Sequence, residues 1–154
     1  MKLLIIGDSH GNIANLKHVL GFAKHIKCGA VIHTGDWNDV KSLETVFNYN
    51  IPIYTVLGNA DIDPILAKKL KIKAEGFSED FLKIEVDGIT ICITHNTRKL
   101  KENINNFDFI FCGHRHRQWK ENNIVNPGAL ENEINFAVFD TKTKVVELIN
   151  HDKV

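Results

Sequence analysis

Aspartate, histidine and asparagine recur in this chain in short groups, each set directly after an apolar run. Asp8 and His10 follow Leu3–Ile6, and Asp36 follows Thr34-Gly35. Asn59 lies in Gly58-Asn59-Ala60-Asp61, His95 follows Thr94, and His114 and His116 follow Gly113 on either side of Arg115. Asp8, His10, Asp36, Asn59, His95, His114 and His116 offer oxygen and nitrogen donors with no thiolate among them. That set suits Mn²⁺, Fe²⁺, Zn²⁺, Co²⁺ or Ni²⁺ better than a cysteine zinc site or a Ca²⁺ cage. Seven donors are too many for one tetrahedral ion and suit two ions that share a carboxylate. Asp36 lies between the other groups in the chain and is the expected bridge. Two divalent ions ~3.5–4 Å apart clamp the attacking and leaving oxygens of an in-line displacement, and a water between them ionises near neutral pH. The expected chemistry is therefore phosphoester hydrolysis by a metal-bridging hydroxide. Asp36, as the bridge, and Asn59, toward the developing charge, are the expected catalytic residues.

Arginine is the second chemical signal. Arg98, Arg115 and Arg117 are the chain's only arginines, and each lies within a few residues of a candidate ligand. Guanidinium grips phosphate in a bidentate fashion that lysine cannot match. Arg98 and Arg115 are the candidate substrate contacts, against the plainer reading of solvated surface charge. His33 is expected behind the ligands or in the core, because strand alternation turns it away from Thr34. His18 and His25 read as surface residues of a helix, and His151 as part of a frayed tail. Trp37 reads either as a roof over the site or as core, and Asp61 as an anchor for the Asn59 loop or a helix-start acid.

These groups need a scaffold that brings strand ends together. Leu3–Ile6 is a continuous apolar run, the pattern of a strand buried on both faces. Asn12 caps a predicted helix running to about Lys27, with Ile13, Leu16, Leu20, Ala23 and Ile26 at helical spacing. Ala30–His33 is a second strand, Val40–Asn48 a second helix and Ile53–Leu57 a third strand. That alternation implies a parallel sheet with right-handed crossovers. Asp63-Pro64 is an adequate helix start. Phe81–Val86 and Ile89–Thr94 flank Asp87-Gly88, a strong hairpin signal. A polar helix is expected over Thr97–Asn105, a buried strand over Phe109–Cys112, and antiparallel strands around Trp119–Val125, Asn135–Asp140 and Lys144–Ile149. The expectation is a mixed α/β domain with two packed sheets and helices outside. Ligands in such sheets bind beyond the carboxyl ends of the strands, where all these groups fall.

The composition narrows the partners. The 154 residues carry 19 Lys and Arg against 19 Asp and Glu. Zero net charge provides no overall basic face for general nucleic-acid or anionic-membrane binding. No apolar run approaches the ~20 residues that span a bilayer. The apolar start ends at Asp8 without a small-residue cleavage site and reads as a strand. Cys28, Cys92 and Cys112 are odd in number and lack CxxC spacing, so a reducing, cytoplasmic setting is expected. The expected partner is a small phosphoester, with a homo-oligomeric state left open. No linker divides the chain, and residues 1–154 are read as one domain.

The order Asp-x-His, Gly-Asp, Gly-Asn-x-Asp, His and Gly-His-x-His, from Leu3 to about Gly128, resembles the calcineurin-like metallophosphoesterase superfamily. It is most similar to the small bacterial and archaeal phosphodiesterase branch, which also resembles Vps29-type retromer subunits. The resemblance implies a four-layer α/β/β/α sandwich with two mixed β-sheets and helices outside. It implies two divalent metal ions, with Mn or Ni favoured over Zn, Fe or Co. Asp8, His10, Asp36 and His116 would hold one, and Asp36, Asn59, His95 and His114 the other. Three departures from the pattern stand out. Ala60 replaces the His or Cys that relatives carry after the Gly-Asn pair, so a proton donor to the leaving group is missing. His95-Asn96-Thr97 replaces His-Gly-His, and Ala129-Leu130-Glu131 does not continue the Asn126-Pro127-Gly128 turn in the family manner. The alternative reading is a catalytically weak or inactive Vps29-like interaction scaffold that keeps the metal site.

Overall fold

Leu3–Ile6 sends alternate side chains to opposite faces, and both faces are buried in the computed structural model, which describes residues 1–153. In chain order the elements are β1 (Lys2–Ile6), α1 (Ile13–His25), β2 (Ala30–His33), α2 (Val40–Phe47), β3 (Ile53–Val56), α3 (Pro64–Lys73) and β4 (Gly76–Ser78). They continue with β5 (Phe81–Val86), β6 (Ile89–Thr94), β7 (Phe109–Phe111), β8 (Gln118–Glu121), β9 (Ile124–Pro127), β10 (Asn135–Asp140) and β11 (Val145–Asn150).

Two mixed sheets result. The first has the order β11-β10-β1-β2-β3-β4 and the second β5-β6-β7-β9-β8. Strands β1 to β4 run parallel, and β10 joins β1 antiparallel with Leu4 opposite Val138. In the second sheet β6, β7 and β9 are parallel, while β5 and β8 are antiparallel edges. Leu3, Ile5, Ile32, Val56 and Phe139 of the first sheet share a core with Ile91, Ile93, Phe111 and Val125 of the second. Leu4, Ile6 and Val31 face the other way, onto Leu16 and Leu20 of α1, Leu43 of α2, and Leu66 and Leu70 of α3. This is the two-sheet arrangement with helices outside that the sequence predicts. Burying Leu3, Leu4, Ile5 and Ile6 alone is worth ~1.5–3 kcal/mol each, which anchors the Asp8–His10 segment that follows.

Local chemistry sets several boundaries. Asn12 accepts from the Asn15 N–H and starts α1. Asp39 accepts from the Ser42 N–H and starts α2, and Asp63 with Pro64 starts α3. Asp87 and Gly88 both have positive φ, 51° and 76°, the backbone of a tight two-residue hairpin turn. The predicted helix over Thr97–Asn105 is absent. Two 3-10 turns, Thr97–Lys99 and Ile104–Asn106, stand there instead: Asn96 caps the first, and Asn103, in the interior of the expected helix, accepts from Asn105 N and starts the second. Such local side-chain bonds compete with helix propagation. His151 is not frayed. Its N–H donates to Ile134 O, and its ring packs edge-on against Phe136 with centroids 4.9 Å apart.

Candidate metal centre

The loops that leave β1 and β2 are laced together. Asp8 N donates to Gly35 O, His10 N to Asp36 O, and Gly11 N to Trp37 O, at 3.0, 3.0 and 3.2 Å. This pairing places Asp8 and His10 opposite Asp36. Asp8, His10 and Asp36 in these loops, and His114 and His116 in the loop after β7, all have left-handed backbone, with φ of 47°, 41°, 62°, 76° and 54°. Asp and His tolerate that region better than bulky residues do, yet each such residue costs on the order of 1–3 kcal/mol. Five strained residues at one place are the mark of a functional cluster.

Two groups of donor atoms form there. Asp8, His10, Asp36 and His116 each offer an atom within 4.8 Å of the others. Within this group His10 Nε2 lies 3.2 Å from Asp36 Oδ2 and 3.2 Å from His116 Nε2, and His116 Nε2 lies 3.3 Å from Asp8 Oδ1. In the second group His95 Nε2 is 2.9 Å from Asn59 Oδ1 and 3.3 Å from Asp36 Oδ2. His114 Nδ1 is 3.2 Å from Asn59 Oδ1 and 3.3 Å from His95 Nε2. Donors ~2.0–2.2 Å from a common ion sit roughly 3.0–3.4 Å from one another, which matches these spacings. The structure thus brings together all seven residues singled out in the sequence. Asp36 Oδ2 is a member of both groups.

The proton inventory also fits a cation. His95 Nδ1 lies 3.0 Å from the Thr34 carbonyl oxygen and donates to it. The neutral ring then points the Nε2 lone pair at Asp36 Oδ2 and Asn59 Oδ1, both acceptors. Such a contact needs a positive species, a proton or a metal ion, between the atoms. A ring N–H held by a backbone carbonyl is the usual way a ligating histidine is oriented. His116 repeats the arrangement, with Nδ1 3.4 Å from Glu131 Oε2. Burial works against charge on His95, but the hydrogen bond and charge of Asp36, aided by Asp8, raise its pKa. Burial pushes the Asp8 carboxyl up to about 7 against the pull of His95. Burial also acts to raise Asp36, but bonds from His95 and the Ala60 N–H bring it down to about 2. Asp36 is therefore held ionised.

The residues behind the donors are equally specific. Asp61 accepts from Asp36 N, Asn38 N and Gly58 N at 2.8 to 2.9 Å, tying the loops after β2 and β3 together. Trp37 is core, not roof: it is fully buried, stacks on His33 at 3.7 Å, and donates to Thr55 Oγ1. His33 accepts from Gly35 N and meets Ser9 Oγ at 3.1 Å. Burial drives that imidazole down to about 3, so it stays neutral behind the site. Sequence reasoning missed Glu131, the Thr34 carbonyl and Asn126, which is buried and donates to Gly113 O. Asn126 entered the sequence reading only as the first residue of the Asn126-Pro127-Gly128 turn. Arg98 and Arg115 line one cavity with His114, whereas Arg117 lines a different one with His116.

Residues 1–144 match the calcineurin-like phosphoesterase superfamily domain. The chain belongs to that superfamily. It is 29% identical over 140 residues to the phosphodiesterase MJ0936 of Methanocaldococcus jannaschii, covering 83% of each chain. An archaeal phosphodiesterase of known structure superposes with a TM-score of 0.83 at 24% identity, over 97% of this chain and 99% of that one. YfcE, a phosphoesterase from E. coli, gives a TM-score of 0.71 at 16% identity over 97% and 98%. Vps29 of Cryptosporidium parvum gives 0.61 at 18% identity over 97% and 95%. These structural likenesses establish the shared fold.

In this calcineurin-like phosphoesterase the Gly58–Asp61 turn is packed onto Asp36 without slack. A Cβ built on Gly58 would overlap Asp36 Oδ1 and lie 2.5 Å from Asp36 N. Gly58→Ala is expected to displace the carboxylate, costing about 1–3 kcal/mol of stability and loosening metal binding. Thermal unfolding of the variant with and without Mn²⁺ checks this. Wild-type stability in both states would show that the turn has room to yield.

Proposed function

We propose that this chain is a dinuclear metal-dependent phosphodiesterase acting on a small phosphoester. The observation that carries the reading is Asp36 Oδ2, 3.2 Å from His10 Nε2 and 3.3 Å from His95 Nε2, shared by two donor groups. In this reading Asp8, His10, Asp36 and His116 hold one ion, and Asp36, Asn59, His95 and His114 the other. The donor set favours Mn²⁺ or Ni²⁺ and also accepts Zn²⁺, Fe²⁺ or Co²⁺. Bound divalent ions supply Lewis-acid charge to phosphoryl oxygens and acidify coordinated water. The chain supplies the rest. Asp36, pinned by His95 and the Ala60 N–H, sets the spacing of the two groups. Asn59, beside the donors, faces the charge that develops on phosphorus, and the Arg98 and Arg115 guanidinium groups, in the cavity next to His114, contact the substrate beyond it. Free thiols at Cys28, Cys92 and Cys112 fit a reducing, cytoplasmic setting.

The test uses metal-stripped protein supplied with Mn²⁺ or Ni²⁺ and bis-p-nitrophenyl phosphate. Release of nitrophenolate above the blank is expected. Absence of release with every divalent ion would favour the second reading, a Vps29-like scaffold. Ala60 is the feature that favours it.

Ala60 also sets an expectation for substrate range. Its methyl group cannot protonate a leaving oxygen, so aryl esters, which leave without help, are the better substrates. General acid catalysis is worth ~10²–10⁴-fold where it operates, and Ala60→His is expected to recover part of that on alkyl leaving groups. The ratio of alkyl to aryl diester turnover is the readout. An unchanged ratio would mean that position 60 does not face the leaving group.

A further inference from the structure

Three cavities open around the donor cluster, and their charges differ. The one beside His116 contains Arg117 but also Glu133, and has a volume of about 540 Å³. The one beside Asn59 contains Lys99 with Asp61, Glu79 and Asp80, and measures about 190 Å³. The third, about 270 Å³, is lined by His114, Arg98, Arg115 and Trp119 with Asn96, Thr97, Cys112 and Gly113. It has two guanidinium groups and no acid. Among the described residues neither Arg98 nor Arg115 forms an ion pair, and the chain has only one further arginine. The Arg115 guanidinium carbon lies 5.9 Å from the centre of the Trp119 ring, which helps hold it over the cavity. The Trp119 indole N–H is buried without a hydrogen-bond partner, a feature that calls for a functional explanation in a folded protein.

Two like charges converge on a small space with nothing opposite them. An isolated pair gains nothing from that arrangement, whereas a dianionic group between them gains charge-assisted bidentate bonds. The scissile diester carries one negative charge and is to be held at the donor cluster. The cavity next to His114 is thus set for a second anion on the same substrate. An aromatic wall beside paired arginines suits a nucleotide, whose base offers a planar face and whose terminal phosphate offers the charge.

We propose that the Arg98–Arg115–Trp119 cavity is a subsite for a terminal phosphate, and that the substrates are short nucleotide phosphodiesters carrying a phosphate beyond the scissile one. This rests on the phosphodiesterase reading for the word substrate, but the subsite can be tested by binding alone. The probes are the dinucleotides pApA and ApA, which differ only in the 5′-phosphate. Their affinities are measured calorimetrically at low salt on the full chain stripped of metal, so that neither is turned over. The wild type is expected to bind pApA about 10-fold more tightly than ApA or better, as charge-assisted bonds to one phosphate allow. The Arg98→Ala/Arg115→Ala double variant should bring the two affinities together, and Arg98→Lys should retain part of the preference. Arg117→Ala, in the other cavity, should keep it. Equal affinities in the wild type, no measurable binding of either dinucleotide, or a preference that survives in the double variant would each overturn the subsite. If pApA is preferred and the double variant loses the preference, but metal-loaded protein cleaves neither dinucleotide nor bis-p-nitrophenyl phosphate, the subsite stands and the phosphodiesterase reading falls.

Discussion

Asp36→Asn is expected to abolish phosphodiester hydrolysis while leaving the metal-free fold close to that of the wild type. Asp36 Oδ2 lies within 3.3 Å of a ring nitrogen from each group, His10 Nε2 and His95 Nε2. Its other oxygen accepts from the Ala60 N–H, a bond an amide oxygen can keep. The substitution therefore removes a charge that both donor groups share and retains the packing of the loop. Outer partners of a metal ligand typically matter by 10–100-fold, and a ligand common to two ions is expected to exceed that, at about 10³-fold or more in activity. Metal content should fall at both positions together. Arg117→Ala serves as the comparison and should matter little, because it lines a cavity apart from the shared oxygen. If the two variants behaved alike, the donor assignment would be wrong.

The second large effect is on stability. Asp8 is fully buried, and burial pushes its carboxyl up to about 7. Asp36 beside it is 2% exposed and held ionised. Two carboxylates in that position, themselves left-handed and joined by left-handed His10, His114 and His116, form a site that costs the metal-free fold free energy. A cation that binds only the folded chain returns it by mass action, about 2.7 kcal/mol at 100 times its Kd. For a chain of this size that corresponds to a rise in Tm of roughly 5–11 °C. Calorimetry on stripped protein titrated with Mn²⁺ measures it. Asp8→Asn should lose most of the rise. A Tm indifferent to metal in the wild type would mean that the cluster is a structural hydrogen-bond network and not a binding site.

What the sequence disclosed, and what it hid, follows from how far each signal reaches along the chain. Leu3–Ile6, Ala30–His33 and the Asp87-Gly88 hairpin were legible because a buried strand and a two-residue turn are specified locally. The seven donors were legible because each sits at the carboxyl end of a strand, where topology alone makes them converge. Helix α3 left only its start, Asp63-Pro64. Its core face is just Leu66 and Leu70, and Lys68, Lys69, Lys71 and Lys73 blur the period. Strand β4 has three half-buried residues and owes its place to pairing with β3, a long-range fact. The helix expected over Thr97–Asn105 failed where the Asn103 side chain, inside it, took the Asn105 N–H that a continuing helix would pair with the backbone. Glu131 is 15 residues past His116, and only the fold brings its carboxylate to that ring. The cavity lined by Arg98 and Arg115 was likewise invisible, since it depends on β8 carrying Trp119 beside the loop after β6.

The central claim is that two ions act together through one shared carboxylate oxygen. It is tested most directly by titrating Mn²⁺ or Ni²⁺ into stripped protein while following bis-p-nitrophenyl phosphate hydrolysis. The account predicts no activity without metal and full activity only after about two equivalents are bound, with Asp36→Asn flat throughout. Full activity at one equivalent, or none at any metal concentration, would contradict it.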